Sequence, residues 1–127
     1  MRVLFSLCIS CITEENYWAE YHIGLFKSIE EVEAIIKRLM SDNGKFSKPD
    51  CKARISEVEI VGDCDNIECV YRFYGAAFDS SSEKDIVESP CYVYKSTAIE
   101  EFIKAKKEYP LAKQWFMKSH IVGECKY

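Results

Sequence analysis

Seven cysteines and two histidines are the side chains in this 127-residue chain that first suggest chemistry. Cys8 and Cys11 form a Cys-x-x-Cys spacing. A thioredoxin-type pair needs its first cysteine at a helix N-terminus, where the dipole lowers the thiol pKa. Here both fall within Arg2 to Ile12, a stretch that reads as a strand, and residues three apart on a strand point to opposite faces. A zinc site wants a second close pair, and Cys64 and Cys69 are spaced too widely for a tight knuckle. The reading is buried structural cysteine, with no metal and no cofactor. His22 sits among large aromatics in a second strand. His120 falls near the C-terminal end of a predicted helix, where a cation is favoured for local reasons. Nothing in the sequence brings the two imidazoles into one cleft, and no local signature supports a Cys–His nucleophile. A Gly-rich phosphate loop, Gly-x-Ser-x-Gly and His-Glu-x-x-His are all missing from the sequence. The expectation is therefore a chain with no catalytic residues.

The elements that position these residues are organised around Tyr17 to Gly44. Tyr17 to Phe26 is rich in aromatic and branched residues, which suit a half-buried pleated surface. Ser28-Ile29-Glu30-Glu31 then reads as a capping box. Ile29, Val32, Ile35, Ile36, Leu39 and Met40 recur at the spacing of a helix lying on a core. Acids at Glu30, Glu31 and Glu33 and bases at Lys37 and Arg38 match the helix dipole. Asp42-Asn43-Gly44 predicts a left-handed stop. Ahead of this unit, Arg2 to Ile12 is largely apolar on both faces and predicts a central strand in a hairpin with the second. Read instead as the apolar core of a signal peptide, it lacks a basic segment beyond Arg2 and a small-x-small cleavage site.

Beyond the helix, Ala53 to Val61 predicts a third strand, with Ile55 out of phase as if at a bulge. Gly62-Asp63-Cys64-Asp65-Asn66 is a turn, and Ile67 to Phe78 a fourth strand. Asp79 to Ser89 is a polar loop, and Cys91 to Tyr94 a short fifth strand entered from Pro90. A second helix opens near Lys95, with Thr97 and Glu100 as a capping box and Ile99, Phe102, Ile103 and Lys106 on one face. It ends near Tyr109, because Pro110 disfavours helix before it. Pro110 then starts a short third helix with Leu111, Ala112, Trp115 and Phe116 inward. Ile121 to Tyr127 is left as an edge strand or tail.

At this length a single domain buries roughly two thirds of its unfolded surface and needs no staple. The expected fold is one α+β domain over residues 1–127. An antiparallel sheet of about five strands is covered on one face by two longer helices and a short third. Scattered cysteines in apolar runs behave as reduced small hydrophobes and point to the cytoplasm. No apolar run is long enough to span a bilayer. A formal charge of −4 argues against a nucleic-acid partner. Val70-Tyr71-Arg72-Phe73-Tyr74-Gly75 resembles an RNA-stacking strand, but its acidic surroundings argue against that use.

The charge is segregated. Residues 55–90 hold nine acids, Glu57, Glu59, Asp63, Asp65, Glu68, Asp79, Glu83, Asp85 and Glu88, against the two bases Arg72 and Lys84. Residues 95–118 hold six lysines against three glutamates. Segregation of this kind serves solubility, or it builds an acidic docking face for a basic protein. On the second reading the nine acids form the contact set, and Tyr71, Tyr74 and Tyr92 are aromatic anchors.

The run His22-Ile23-Gly24-Leu25-Phe26-Lys27-Ser28-Ile29-Glu30-Glu31-Val32-Glu33-Ala34-Ile35-Ile36 resembles an opening found in small bacterial α+β proteins. Some of these are immunity proteins encoded beside polymorphic toxins, as in contact-dependent growth inhibition systems. The resemblance covers residues 22–36 and carries over no binding residue. It implies a cytoplasmic monomer or homodimer that plugs the active site of one cognate toxin domain, often a basic nuclease. The leading expectation is thus a non-catalytic toxin inhibitor. The alternative is a small-molecule-binding or enzymatic α+β domain whose pocket, on the open sheet face, is lined by His22 with one or more cysteines.

Overall fold

The structure is a computed structural model and describes residues 2–12, 15–76 and 87–127. The chain forms two compact units, Met1–Val58 with Ile121–Tyr127, and Glu59–His120.

In the first unit, β1 (Val3–Ile12) and β2 (Trp18–Phe26) pair antiparallel, from Phe5 opposite Phe26 to Ile12 opposite Trp18. The register shifts between Leu7 and Cys8. β3 (Lys52–Val61) lies on the other side of β1 and continues into the second unit. The helix α1 (Ile29–Leu39) starts where the cap predicts, with Ser28 Oγ accepting from the Glu31 amide at 3.2 Å. Val32 and Leu39 are buried with Leu7, Ile9, Ile23, Phe26 and Phe46, and Ile35, Ile36 and Met40 pack at the edge of that cluster. The helix end differs from the expected left-handed stop. Met40 caps it at φ −102°, and the Phe46 amide donates to Leu39 O at 2.8 Å. Gly44 is needed for space, because a β-carbon there would collide with the Leu39 carbonyl. Past β3, the tail bonds to β2, with the amides of Gly123 and Lys126 donating to Leu25 O and Ile23 O at 2.7 and 3.1 Å.

In the second unit, the end of β3 runs parallel to β6 (Cys91–Tyr92), Ile60 opposite Cys91. β4 (Cys69–Ala76) is antiparallel to β5 (Val87–Glu88) and to β6, and also pairs with β7 (Lys113–Ile121). Tyr74 faces Glu88 and Tyr71 faces Tyr92, so β5 and β6 follow one line along β4, broken at Ser89-Pro90. Pro90 has no amide to give the ladder. Ser89 repairs the break: its hydroxyl accepts from the Phe73 amide at 2.8 Å, and its own amide donates to Phe73 O. α2 (Lys95–Glu108) packs Ala98 and Ala105 onto this sheet, with Phe102 stacked on Phe73 at 5.3 Å.

These elements correct the expected fold class. Strand makes up 44% of the structure and helix 22%, so the sheet dominates. There are seven strands among the described residues rather than about five, and they pair both parallel and antiparallel. Among the described residues there are two helices, not three. The segment after Pro110 read as helix because Leu111, Ala112, Trp115 and Phe116 fit that spacing. It is a strand because Trp115 and Met117, two apart, both face the core while Phe116 is 54% exposed. Trp115 lies over Gly75, where a β-carbon would come within 2.6 Å of its ring. Two details of α2 are also corrected. It starts from Tyr94 with no side-chain cap, leaving Thr97 inside the helix. Ile99 and Ile103 are exposed, because the alanines allow the close approach and Phe102 sets the rotation.

Candidate functional site

The expected contact acids separate by position. Glu57 and Glu59 lie two apart on β3 and are exposed. Asp63, Asp65 and Glu68 are exposed on the turn from β3 to β4, and Glu88 is exposed on β5. Asp79, Glu83 and Asp85 lie outside the described residues.

The turn is held by its own side chains. Gly62 opens it at φ +113°, a conformation that glycine adopts without a steric cost. The Tyr94 hydroxyl donates to Asp63 O at 2.7 Å, and the Val93 amide to Val61 O at 3.0 Å. The Cys64 thiol donates to Asn66 O at 3.2 Å, and Asn66 Nδ2 to Glu68 Oε1 at 3.3 Å. Ile67 is 5% exposed and anchors the turn to the unit beneath. The acids on either side of Ile67 therefore project from a fixed backbone.

The three aromatic candidates serve packing. Tyr92 is buried and stacked on Phe73, and Tyr71 packs at the edge of the same cluster. Burial pushes the Tyr92 hydroxyl up, and the Glu101 and Glu59 carboxylates add to that push. Tyr74 stacks on Phe116 at 5.0 Å and its hydroxyl meets His120 Nε2 at 3.0 Å. Burial drives the Tyr74 pKa up to about 12 despite the Arg72 cation, which lies 5.2 Å from the ring centroid. Arg72 is itself buried and donates to Ser89 O at 2.9 Å. Sequence reasoning missed this Arg72–Ser89 pairing. It also placed His120 on a helix end, whereas His120 is buried on β7.

The histidine–cysteine face takes a definite form in the first unit. Cys8 stands opposite His22 across β1 and β2, with Ser6 and Glu20 close by. Glu20 pairs with Arg54 of β3. His22 Nε2 meets Ser6 Oγ at 3.3 Å, and Nδ1 meets Lys126 Nζ at 3.4 Å. Neither of these contacts is to the Cys8 thiol; Nε2 meets a hydroxyl and Nδ1 an ammonium. Burial also raises the Cys8 thiol pKa, the reverse of what a nucleophilic thiolate requires.

The cysteine expectation needs one correction. Cys11, on the core face of β1, is joined to Cys51 at the start of β3 by a disulfide, with Cα atoms 4.2 Å apart. The chain spacing of 40 residues hides this pair. Only knowing that β3 lies beside β1 reveals it. Among the described residues, Cys8, Cys64, Cys69, Cys91 and Cys125 are in no disulfide. Cys8 and Cys11 do not pair, in keeping with their opposite faces.

Among the described residues no group of three or more His, Cys, Asp or Glu could hold a metal ion. No helix among them is long and apolar enough to cross a membrane. No protein-family model, curated protein or solved structure matches the chain.

Proposed function

We propose that this chain is a cytoplasmic immunity protein that neutralises a cationic bacterial toxin domain by covering its active site, without catalysis of its own. The observation that carries the reading is the braced acidic turn: Asp63, Asp65 and Glu68 are exposed while Gly62, Tyr94, Cys64 and Ile67 fix the backbone between them. Fixed charge costs little ordering entropy on binding, so more of the interaction energy is left as affinity. A negative patch also steers a basic partner into encounter and rejects acidic ones. The resemblance of residues 22–36 to small bacterial α+β proteins, some of them immunity proteins, points the same way. Glu59, in the same unit as the turn, extends the contact set along the strand that enters it.

The test is capture from a lysate of the native host. Wild-type bait should retain a basic toxin domain, with retention falling as salt rises. Bait carrying Asp63→Lys, Asp65→Lys and Glu68→Lys should lose it. Cells expressing the captured domain should survive with the wild-type chain and die with the reversed one. Equal capture and equal protection by both baits would remove the turn from the account.

A further inference from the structure

The Cys11–Cys51 bond does not lie sealed in the core. Both cysteines line a surface cleft of about 220 Å³ in the first unit, walled by the rings of Tyr21 and Phe46 and flanked by Lys45 and Lys48. At about 30 Å³ per water, this space takes a small molecule rather than a drug-sized ligand. The aromatic wall is firm: Tyr21 and Phe46 lie 5.3 Å apart, and Tyr127 closes on both at 6.0 and 5.5 Å. The cations sit on the lip, Lys45 with its ammonium 4.8 Å from the Tyr127 ring centroid. Cys51 is 6% exposed and Cys11 is the more open of the two.

We propose that this cleft is a thiol-exchange site, in which an anionic low-molecular-mass thiol is held by Lys45 and Lys48 and attacks Cys11. The incoming thiolate forms a bond to Cys11 Sγ, the Cys11–Cys51 bond breaks, and Cys51 leaves as a thiolate that takes a proton from water. A second thiol of the same class then attacks the sulfur of the bound thiol. That releases the oxidised small disulfide and leaves Cys11 and Cys51 reduced. Two thiols are oxidised and one protein disulfide is reduced, so the electrons balance. The reasoning is electrostatic and steric. The attacking species is an anion, two cations flank the only described protein disulfide, and the more accessible sulfur is the one attacked. The exchange itself does not depend on the toxin-binding reading.

The test compares two small thiols of opposite charge, 2-mercaptoethanesulfonate and cysteamine, acting on the oxidised protein. Rates are taken per thiolate and divided by those for bis(2-hydroxyethyl) disulfide, which carries no charge. The anionic thiol should be favoured by about three- to tenfold at low ionic strength, as expected for two nearby surface cations. The preference should vanish at high salt and reverse in the exposed-surface variant K45E/K48E. Acid-quenched peptide mapping should place the mixed disulfide on Cys11. Equal normalised rates, indifference to K45E/K48E, an adduct on Cys51, or failure of air-oxidised protein to contain a Cys11–Cys51 bond would each overturn the proposal.

Discussion

Opening the Cys11–Cys51 bond should loosen the first unit by an amount the chain length sets. The joined residues are 40 apart in sequence. In the chain-entropy model a loop of that length withdraws about 13 cal/mol/K from the unfolded ensemble, or about 4 kcal/mol at 25 °C. Packing changes little on reduction, because a free thiol in the same place remains a small hydrophobe. The assay is urea unfolding followed by circular dichroism, with and without a phosphine reductant, at constant pH. With a slope of about 2 kcal/mol per molar urea, the midpoint should fall by about 2 M on reduction. Cys51→Ala without reductant should match reduced wild type to within about 1 kcal/mol, the extra loss being the missing sulfur at a buried site. A midpoint that moves by less than about 0.5 M would refute the argument from chain entropy. A Cys51→Ala loss far larger than the reduction loss would show that packing, not the crosslink, does the stabilising.

Gly75→Ala should cost about 1–3 kcal/mol, since three atoms of the Trp115 ring lie 2.6–2.8 Å from the new β-carbon; unfolding by urea and the Trp115 emission maximum should both shift, and a neutral substitution would contradict the packing. Ser28→Ala removes the hydroxyl that accepts from the Glu31 amide and should cost about 1 kcal/mol of stability, measured by the same unfolding curve. Tyr74→Phe removes the hydrogen bond to His120 Nε2 and should cost about 1 kcal/mol near neutral pH. The same variant has an alkaline signature. Burial holds the Tyr74 proton to about pH 12, whereas an unfolded tyrosine loses it near pH 10. The folded state therefore binds the extra proton between these values, and its stability is whole below about pH 10 and lost as the pH rises towards 12. Tyr74→Phe should flatten that decline, and an unchanged slope would show that Tyr74 does not cause it.

The sequence was most legible where local physics decides. The first two strands and the capped helix rest on alternation, a Ser–Glu cap and an apolar stripe, and they stand at Val3–Ile12, Trp18–Phe26 and Ile29–Leu39. The turn at Gly62–Asn66 was equally plain, because glycine and short polar residues cluster there. The misreadings share a different cause. Residues 111–116 satisfy a helical spacing, and only Gly75, on a strand far away in sequence, gives Trp115 a place to lie flat and makes the segment a strand. Helical spacing puts Ile99 and Ile103 on a face with Phe102, but Ala98 and Ala105 set how closely α2 approaches and the two isoleucines stay exposed. The parallel pairing of β3 with β6 follows from strand order, which no local pattern encodes. The Cys11–Cys51 bond was hidden for the same reason. The acidic candidates were legible as composition, but their fixing by Tyr94 and Ile67 was not.

Recognition of a basic protein by a fixed acidic turn should show itself first in the association rate with the captured partner. Wild type and the Asp63→Lys, Asp65→Lys, Glu68→Lys variant should be compared by stopped flow across a salt series. The wild-type rate should be at least about tenfold faster at low ionic strength, with the two converging at high salt. Equal rates at every salt concentration, with equal affinities, would contradict it.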